Sequence, residues 1–419
     1  MTRRPAPVLL VAATLALGSA VALGFARLAY ALVLAPMRAD LGWSYLVAGA
    51  MNTVNAVGYL AGALLTGPLL RRVTTPRLFV GTTAATGVFL ALHGLVVSDA
   101  ALYVMRFASG LVSAGTLISG ALLAARLVTQ PATVASEPSV PATPPAPARS
   151  RQDGPSAGLV LGVYYAGTGV GIVASALLVP PLLARPVAHA WQAAWLGVGA
   201  LALLAAAVMA IVLRRDLAQP QAEAAASTSL RRARPRALDA AMLGYVLFGL
   251  GYIGYMTFVL ALLQEQGLGA RAIVAFYVVL GLAVIVSPWL WAALLQRVRG
   301  GAAMSLLNAL LALATMLPVL SSHPLAVFAS GLLFGAVLLS AVASTTALVR
   351  HNLPPAEWGQ WIGAMTIAFA AGQIVGPSLV GWVADLAGGL RAGLACSAGV
   401  LLLAAVAASR QKPLAPAPG

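Results

Sequence analysis

Acidic residues are scarce in this chain: 10 of 419, against 25 Lys and Arg. They are Asp40, Asp99, Glu137, Asp153, Asp216, Glu223, Asp239, Glu265, Glu357 and Asp385, and all lie in polar stretches or near the ends of apolar ones. The chain therefore offers no paired carboxylates for acid–base chemistry and no acidic path for a cation. Cysteine occurs once, at Cys396, which excludes an internal disulfide and any multi-cysteine metal site. Neither H-E-x-x-H nor G-x-S-x-G occurs. Gly249-Leu250-Gly251-Tyr252-Ile253-Gly254 spells G-x-G-x-x-G. No strand leads into it and no acidic residue follows about 20 positions on, so it reads as helix packing rather than dinucleotide binding. No catalytic residue, no metal and no cofactor is expected, and the chain is not expected to be an enzyme.

What the chain has in abundance is apolar residues, 61% of the total with only 8% charged, and its mean hydropathy is +0.93. A soluble fold cannot hide that much apolar surface, whereas a bilayer accommodates it. Twelve apolar runs occur, at 8–34, 45–70, 77–97, 101–125, 158–183, 193–213, 238–264, 272–295, 302–320, 325–349, 359–384 and 391–409. As helices they are long enough to cross a hydrocarbon core of roughly 30 Å at 1.5 Å per residue. Because the runs are continuous rather than short and alternating, a β-barrel is excluded. The expected fold class is an all-α membrane protein, with twelve transmembrane helices in two pseudo-symmetric six-helix halves. The first run follows Arg3-Arg4 and resembles a signal peptide with small residues at Gly18-Ser19-Ala20. It continues well past that point and reads as an uncleaved first span.

Residues 1–129 are expected to hold helices 1–4, 158–213 helices 5 and 6, and 238–409 helices 7–12. Between them, 130–157 is a proline-rich loop expected to be disordered, 214–237 is a basic linker, and 410–419 is a tail. With the N-terminus inside, 19 of the 25 Arg and Lys fall on the cytoplasmic side, four on the outer side, and Arg27 and Arg106 within spans. This asymmetry places both termini in the cytoplasm and the chain in the cytoplasmic (inner) membrane. The net charge of +15 is thus a matter of topology, and Arg231-Arg232-Ala233-Arg234-Pro235-Arg236 reads as a loop beside anionic lipid rather than a nucleic-acid patch. The expected partners are the lipid bilayer and a small-molecule substrate. A monomer is the default, because each six-plus-six bundle encloses its own path.

The halves repeat one another. Ser109-Gly110-Leu111-Val112 recurs as Ser330-Gly331-Leu332-Leu333, and Gly24-Phe25 corresponds to Gly251-Tyr252. Such a repeat is the mark of a transporter whose halves rock about a central site. Small residues that let helices approach are Gly110, Gly167, Gly169, Gly171, Gly372 and Gly376, with Pro377 following.

This pattern resembles the major facilitator superfamily. Leu102-x-x-x-Arg106-x-x-x-Gly110 is similar to the motif carried there by helix 4. Gly67-Pro68-Leu69-Leu70-Arg71-Arg72 is similar to its cytoplasmic gating motif, without the usual acidic residue and with Arg71 at about its position. More narrowly, the chain resembles the YbfB/YjiJ-like branch. The matches run from Gly24-Phe25-Ala26-Arg27-Leu28-Ala29-Tyr30 through Tyr165-Ala166-Gly167-Thr168-Gly169-Val170-Gly171 to Gly372-Gln373-Ile374-Val375-Gly376-Pro377. The resemblance implies a twelve-helix secondary transporter and supplies no substrate.

An arginine inside an apolar span costs about 2.5 kcal/mol or more on insertion scales, so it normally faces a protein interior or wet cavity. Helix rise puts Arg27 and Arg106 at about one depth, in the outer half of the bundle. A guanidinium is always charged and its fork suits carboxylate or phosphate. The competing reading is that each arginine ties helices together. Further polar candidates for substrate binding are Tyr30, Asn52, Asn55, Tyr59, Tyr164, Tyr165, Tyr252, Tyr255, Thr366 and Gln373. Of these, Asn52, Asn55 and Tyr59 share one helical face. Gly67 and Arg71 join the glycines above as gating or packing positions. With no carboxylate in the spans, proton coupling has only His93 as a candidate relay, with Asp385 and Glu265 at the outer edge.

The expected function is movement of a small organic solute, anionic in character, by alternating access. The alternatives are broad export of neutral or acidic hydrophobic compounds and a membrane sensor that binds without transporting.

Overall fold

The computed structural model describes residues 8–129, 157–214 and 238–414. The proline-rich loop and nearly all of the basic linker lie outside the described residues. Within them the chain forms twelve membrane-length helices: α1 Leu9–Leu41, α2 Tyr45–Leu70, α3 Thr75–His93, α4 Asp99–Thr129, α5 Ala157–Leu183, α6 Ala190–Val212, α7 Asp239–Glu265, α8 Ala270–Arg297, α9 Ala302–Leu320, α10 Pro324–Asn352, α11 Pro355–Leu386 and α12 Leu390–Ser409. Eleven are long and apolar enough to cross a membrane. The exception, α3, carries threonines whose hydroxyls bond their own helix: Thr82 to Leu78 O (2.7 Å), Thr83 to Phe79 O (2.7 Å) and Thr86 to Thr82 O (2.8 Å). That internal satisfaction lets a helix of lower apolarity lie in the bundle.

Packing repeats between the halves. In the first, α2 lies on α4, α3 on α4 and α6, and α1 on α5; in the second, α8 lies on α10, α9 on α10 and α12, and α7 on α11. The halves meet along two seams, α2 with α11 and α5 with α8. Glycines make the closest approaches. A Cβ on Gly167 would fall against the backbone of Ala16, and one on Gly372 against Val246 O and Leu250 N (2.8 Å). Gly171 and Gly376 repeat these contacts one turn on, against Ala20 and Leu250. By this register the counterpart of Gly24 in the second half is Gly254, whereas the sequence repeat pairs it with Gly251. Gly372→Val is therefore expected to collapse the yield of monodisperse protein in size-exclusion chromatography, because the atoms it meets are backbone and cannot step aside. Gly67→Ala, where a Cβ meets nothing within 4 Å, should leave yield unchanged.

α1 is composite: α-helical over Val8–Ser19, π-helical over Ala20–Leu28 and α-helical again over Tyr30–Leu41. The Ala29 N–H donates to Gly24 O at 2.8 Å, the wide five-residue turn of a π-helix. Gly24 sits on the backbone of Gly171, so the widened turn falls where α1 and α5 touch. The helix continues to Leu41, past the end of the first apolar run.

The end of the bundle away from the chain termini is zipped shut. Asp385 on α11 accepts from the N–H groups of Tyr45 (2.9 Å) and Leu46 (2.8 Å), capping the start of α2 in the other half. Below it Gly49 lies on Pro377 O. Thr53 donates to Ile374 O (2.7 Å) and bonds Ser378 (2.8 Å). Asp40 takes His189 and the Trp191 indole, and Trp43 donates to Asp99 (2.8 Å). Carboxylates thus fasten this end. Toward the terminal end of α11, Gly363 and Thr366 are exposed, and a Cβ on Gly363 would meet nothing within 4 Å.

Candidate functional site

The wide turn of α1 delivers Arg27 to the place where the two halves meet. Its Nη1 donates to the Gln373 side-chain oxygen on α11, and its Nε lies 3.5 Å from Asn55 Oδ1 on α2. Gln373 in turn donates from Nε2 to the Tyr252 hydroxyl on α7 at 2.6 Å. The Tyr59 ring lies under the guanidinium, 4.7 Å from Cζ to centroid. Arg27 is buried, and among the described residues Nη2 has no hydrogen-bond partner. Among the described residues no carboxylate pairs with it. Arg27 is thus a buried cation with one nitrogen left unpartnered.

Arg106, its neighbour on α4, is fully engaged. Nε donates to Met51 O (3.2 Å), Nη1 to Ala26 O (3.0 Å) and Nη2 to the Asn52 side-chain oxygen. It also lies over the Tyr30 ring at 4.6 Å and near Trp195 at 5.8 Å. Ala26 O belongs to the π-helical turn, and a second carbonyl there, Leu28 O, accepts from the Tyr277 hydroxyl (2.7 Å). Arg106 and Tyr277 therefore prop the distorted segment from opposite halves. Asn52 passes the connection on, donating to Thr257 on α7 at 2.8 Å.

The other candidates separate in the same way. Arg27, Asn55, Tyr59, Tyr252 and Gln373 converge. Tyr165 is half-buried and packs edge-on against Tyr164, ring centroids 5.0 Å apart. Thr366 sits two turns along α11 from Gln373 on the same face, exposed, its hydroxyl bonded to Ile362 O (2.8 Å). Three tyrosines are tied elsewhere: Tyr30 to Ala48 O (2.9 Å), Tyr164 to Leu117 O (2.7 Å), and Tyr255 to Ser330 (2.7 Å) while stacked on Phe334. The structure does not bring these three to Arg27. Arg71 caps the terminal end of α2, and Gly110 packs on Asn55 O. His93 lies behind Trp195, stacked on it at 4.7 Å and bonded to Phe89 O, with Arg106 between it and Arg27.

Sequence reasoning missed a ring stack beside Gln373. Tyr245, Phe248 and Tyr252 of α7 and Phe369 of α11 lie with centroids 4.9–5.7 Å apart and planes within 21° of parallel. Tyr245, Phe248 and Tyr252 stand at i, i+3 and i+7, the spacing that marks Asn52, Asn55 and Tyr59.

Two like six-helix halves, sealed at one end and meeting at a buried charged group, define a solute transporter of the major facilitator type. Residues 19–143 and 151–409 match the family described as "Uncharacterised MFS-type transporter YbfB", and the chain belongs to that family. Among solved structures, the bacterial homologue of the human lysosomal transporter Spinster, inward-facing and occupied, superimposes with a TM-score of 0.69 at 15% identity, covering 96% of this chain and 98% of that one. A point mutant of the nucleoside transporter NupG gives 0.68 at 10% identity, covering 95% and 99%. These likenesses are of fold. A search of the curated proteins returns no match.

Proposed function

We propose that this transporter moves a small organic anion across the cytoplasmic membrane by alternating access, with Arg27 as the charge contact. The observation that carries the reading is the free Nη2 of Arg27, buried where the halves meet and without a carboxylate partner. Arg27 is bound on one side by Asn55 of its own half and on the other by Gln373 of the second half. An anion seated on it therefore changes the connection between the halves, which is what alternating access requires. The positive-inside count makes the terminal end cytoplasmic, so the zipped end faces outward and the end exposing Thr366 faces inward. The apolar spans hold no carboxylate relay, which favours equilibration down the solute's own gradient over proton coupling.

The test is reconstitution in lipid vesicles with a panel of radiolabelled organic anions, with and without a pH gradient. We expect saturable entry of at least one anion, unchanged in extent by the gradient. Saturable binding with no entry for any binder would favour a sensor, and a pH-driven overshoot would restore proton coupling. Nucleosides, the class named for NupG, belong in the panel as neutral controls, since they leave Arg27 without a counter-charge.

A further inference from the structure

We infer that the transported anion carries a planar aromatic ring beside its negative group, with the ring seated against Phe369 and the carboxylate on Arg27. The inference rests on the anion reading above and adds a substrate class to it.

The ring stack is the ground for it. Four aromatic side chains from two helices of one half lie nearly parallel, with Tyr245–Phe369 at 4.9 Å and 14°, and Tyr252–Phe369 at 5.5 Å and 14°. Offset stacking is one of the preferred arrangements of aromatic pairs, and four rings set nearly parallel offer a flat platform. Phe369 is only half-buried, whereas Phe248 behind it is fully enclosed. Gly249 makes the arrangement possible: a Cβ there would stand 3.1 Å from the Phe369 ring and closer still to its backbone. The platform is joined to the charge site directly, since Tyr252 accepts from Gln373, and Gln373 accepts from Arg27. In the first half, Tyr59 lies half-buried against the same guanidinium. Toward the terminal end, Thr366 is exposed on the same face of α11. A ligand entering there meets flat rings first and the guanidinium at its inner limit. A planar ring with an attached carboxylate satisfies both; a saturated ring of equal size reaches the charge without stacking.

The experiment measures binding of 2-naphthoate, decahydro-2-naphthoate and 2-naphthalenemethanol to the purified full chain by isothermal titration. The aromatic acid is expected to bind roughly threefold to tenfold more tightly than its saturated counterpart, the range that stacking supplies. Phe369→Leu should erase the aromatic acid's advantage over the saturated one, and Phe369→Tyr should preserve it. Equal affinity of the two acids for the wild type overturns the inference even if no variant folds. If both acids then still lose binding in Arg27→Gln, the anion reading survives alone. If the alcohol binds as well as the acid, the anion reading fails, and with it the inference as stated. Absence of binding by either acid overturns both.

Discussion

Arg27→Gln is expected to lose about 10-fold to 100-fold in affinity for a transported anion while melting no lower than the wild type. The first half follows from the strength of a charge-assisted bond, about 1.5–3 kcal/mol. The second is a matter of competing magnitudes. Holding a guanidinium in an apolar span costs about 2.5–3.5 kcal/mol. Arg27 offsets this with two side-chain bonds, about 0.6 kcal/mol each in a membrane interior, and one aromatic face, about 1 kcal/mol. Its Nη2 adds no hydrogen bond to that sum. The balance is close to zero or unfavourable, as for a residue retained for function. Arg27→Lys should fail as well, because one ammonium cannot serve Gln373, Asn55 and a ligand from a fork's geometry. Flux and affinity measured in vesicles, beside a melting curve in detergent, check both halves. Unchanged affinity in both variants, or a large drop in melting temperature for Arg27→Gln, would make Arg27 a brace.

The polar centre was legible because ionised and amide groups stand out against apolar spans. Arg27, Arg106, Asn52, Asn55 and Gln373 are all buried in the bundle, and their expense in lipid announces them. What the sequence could not supply was the rotation of each helix about its axis. Tyr59 and Tyr164 look alike in one dimension, yet Tyr59 lies under Arg27 and Tyr164 donates to Leu117 O. The ring stack was hidden for the same reason. Phenylalanine in an apolar run reads as core or as lipid-facing until the contact of α7 with α11 brings Phe369 onto Tyr252. Nor does composition mark the π-helical turn. Its carbonyls are satisfied by Arg106 and Tyr277, far apart in sequence, so the reason for the turn is tertiary. Eleven of the spans needed none of this, since length and apolarity alone specify them. The one helix of lower apolarity, α3, hides its hydroxyls against its own carbonyls.

Arg106 should behave oppositely to Arg27. It has the same cost of residence, about 2.5–3.5 kcal/mol, but three bonds and two aromatic faces against it. At about 0.6 kcal/mol per bond and about 1 kcal/mol per face, these give roughly 4 kcal/mol, enough to outweigh the cost. Removal also leaves Ala26 O, in the π-helical turn, without its donor. Arg106→Met and Arg106→Lys are therefore both expected to lower the melting temperature by several degrees. Lysine gains little over methionine, because it retains the charge and loses the fork that reaches Met51 O, Ala26 O and Asn52 together. Protein that survives should keep its affinity for the anion within about threefold, less than the change from one lost charge-assisted bond. The pair of arginines is thus sorted by which measurement each one moves, stability for Arg106 and affinity for Arg27. A stable Arg106→Lys that has lost affinity more than about tenfold would reverse the assignment and make both guanidinium groups one anion clamp.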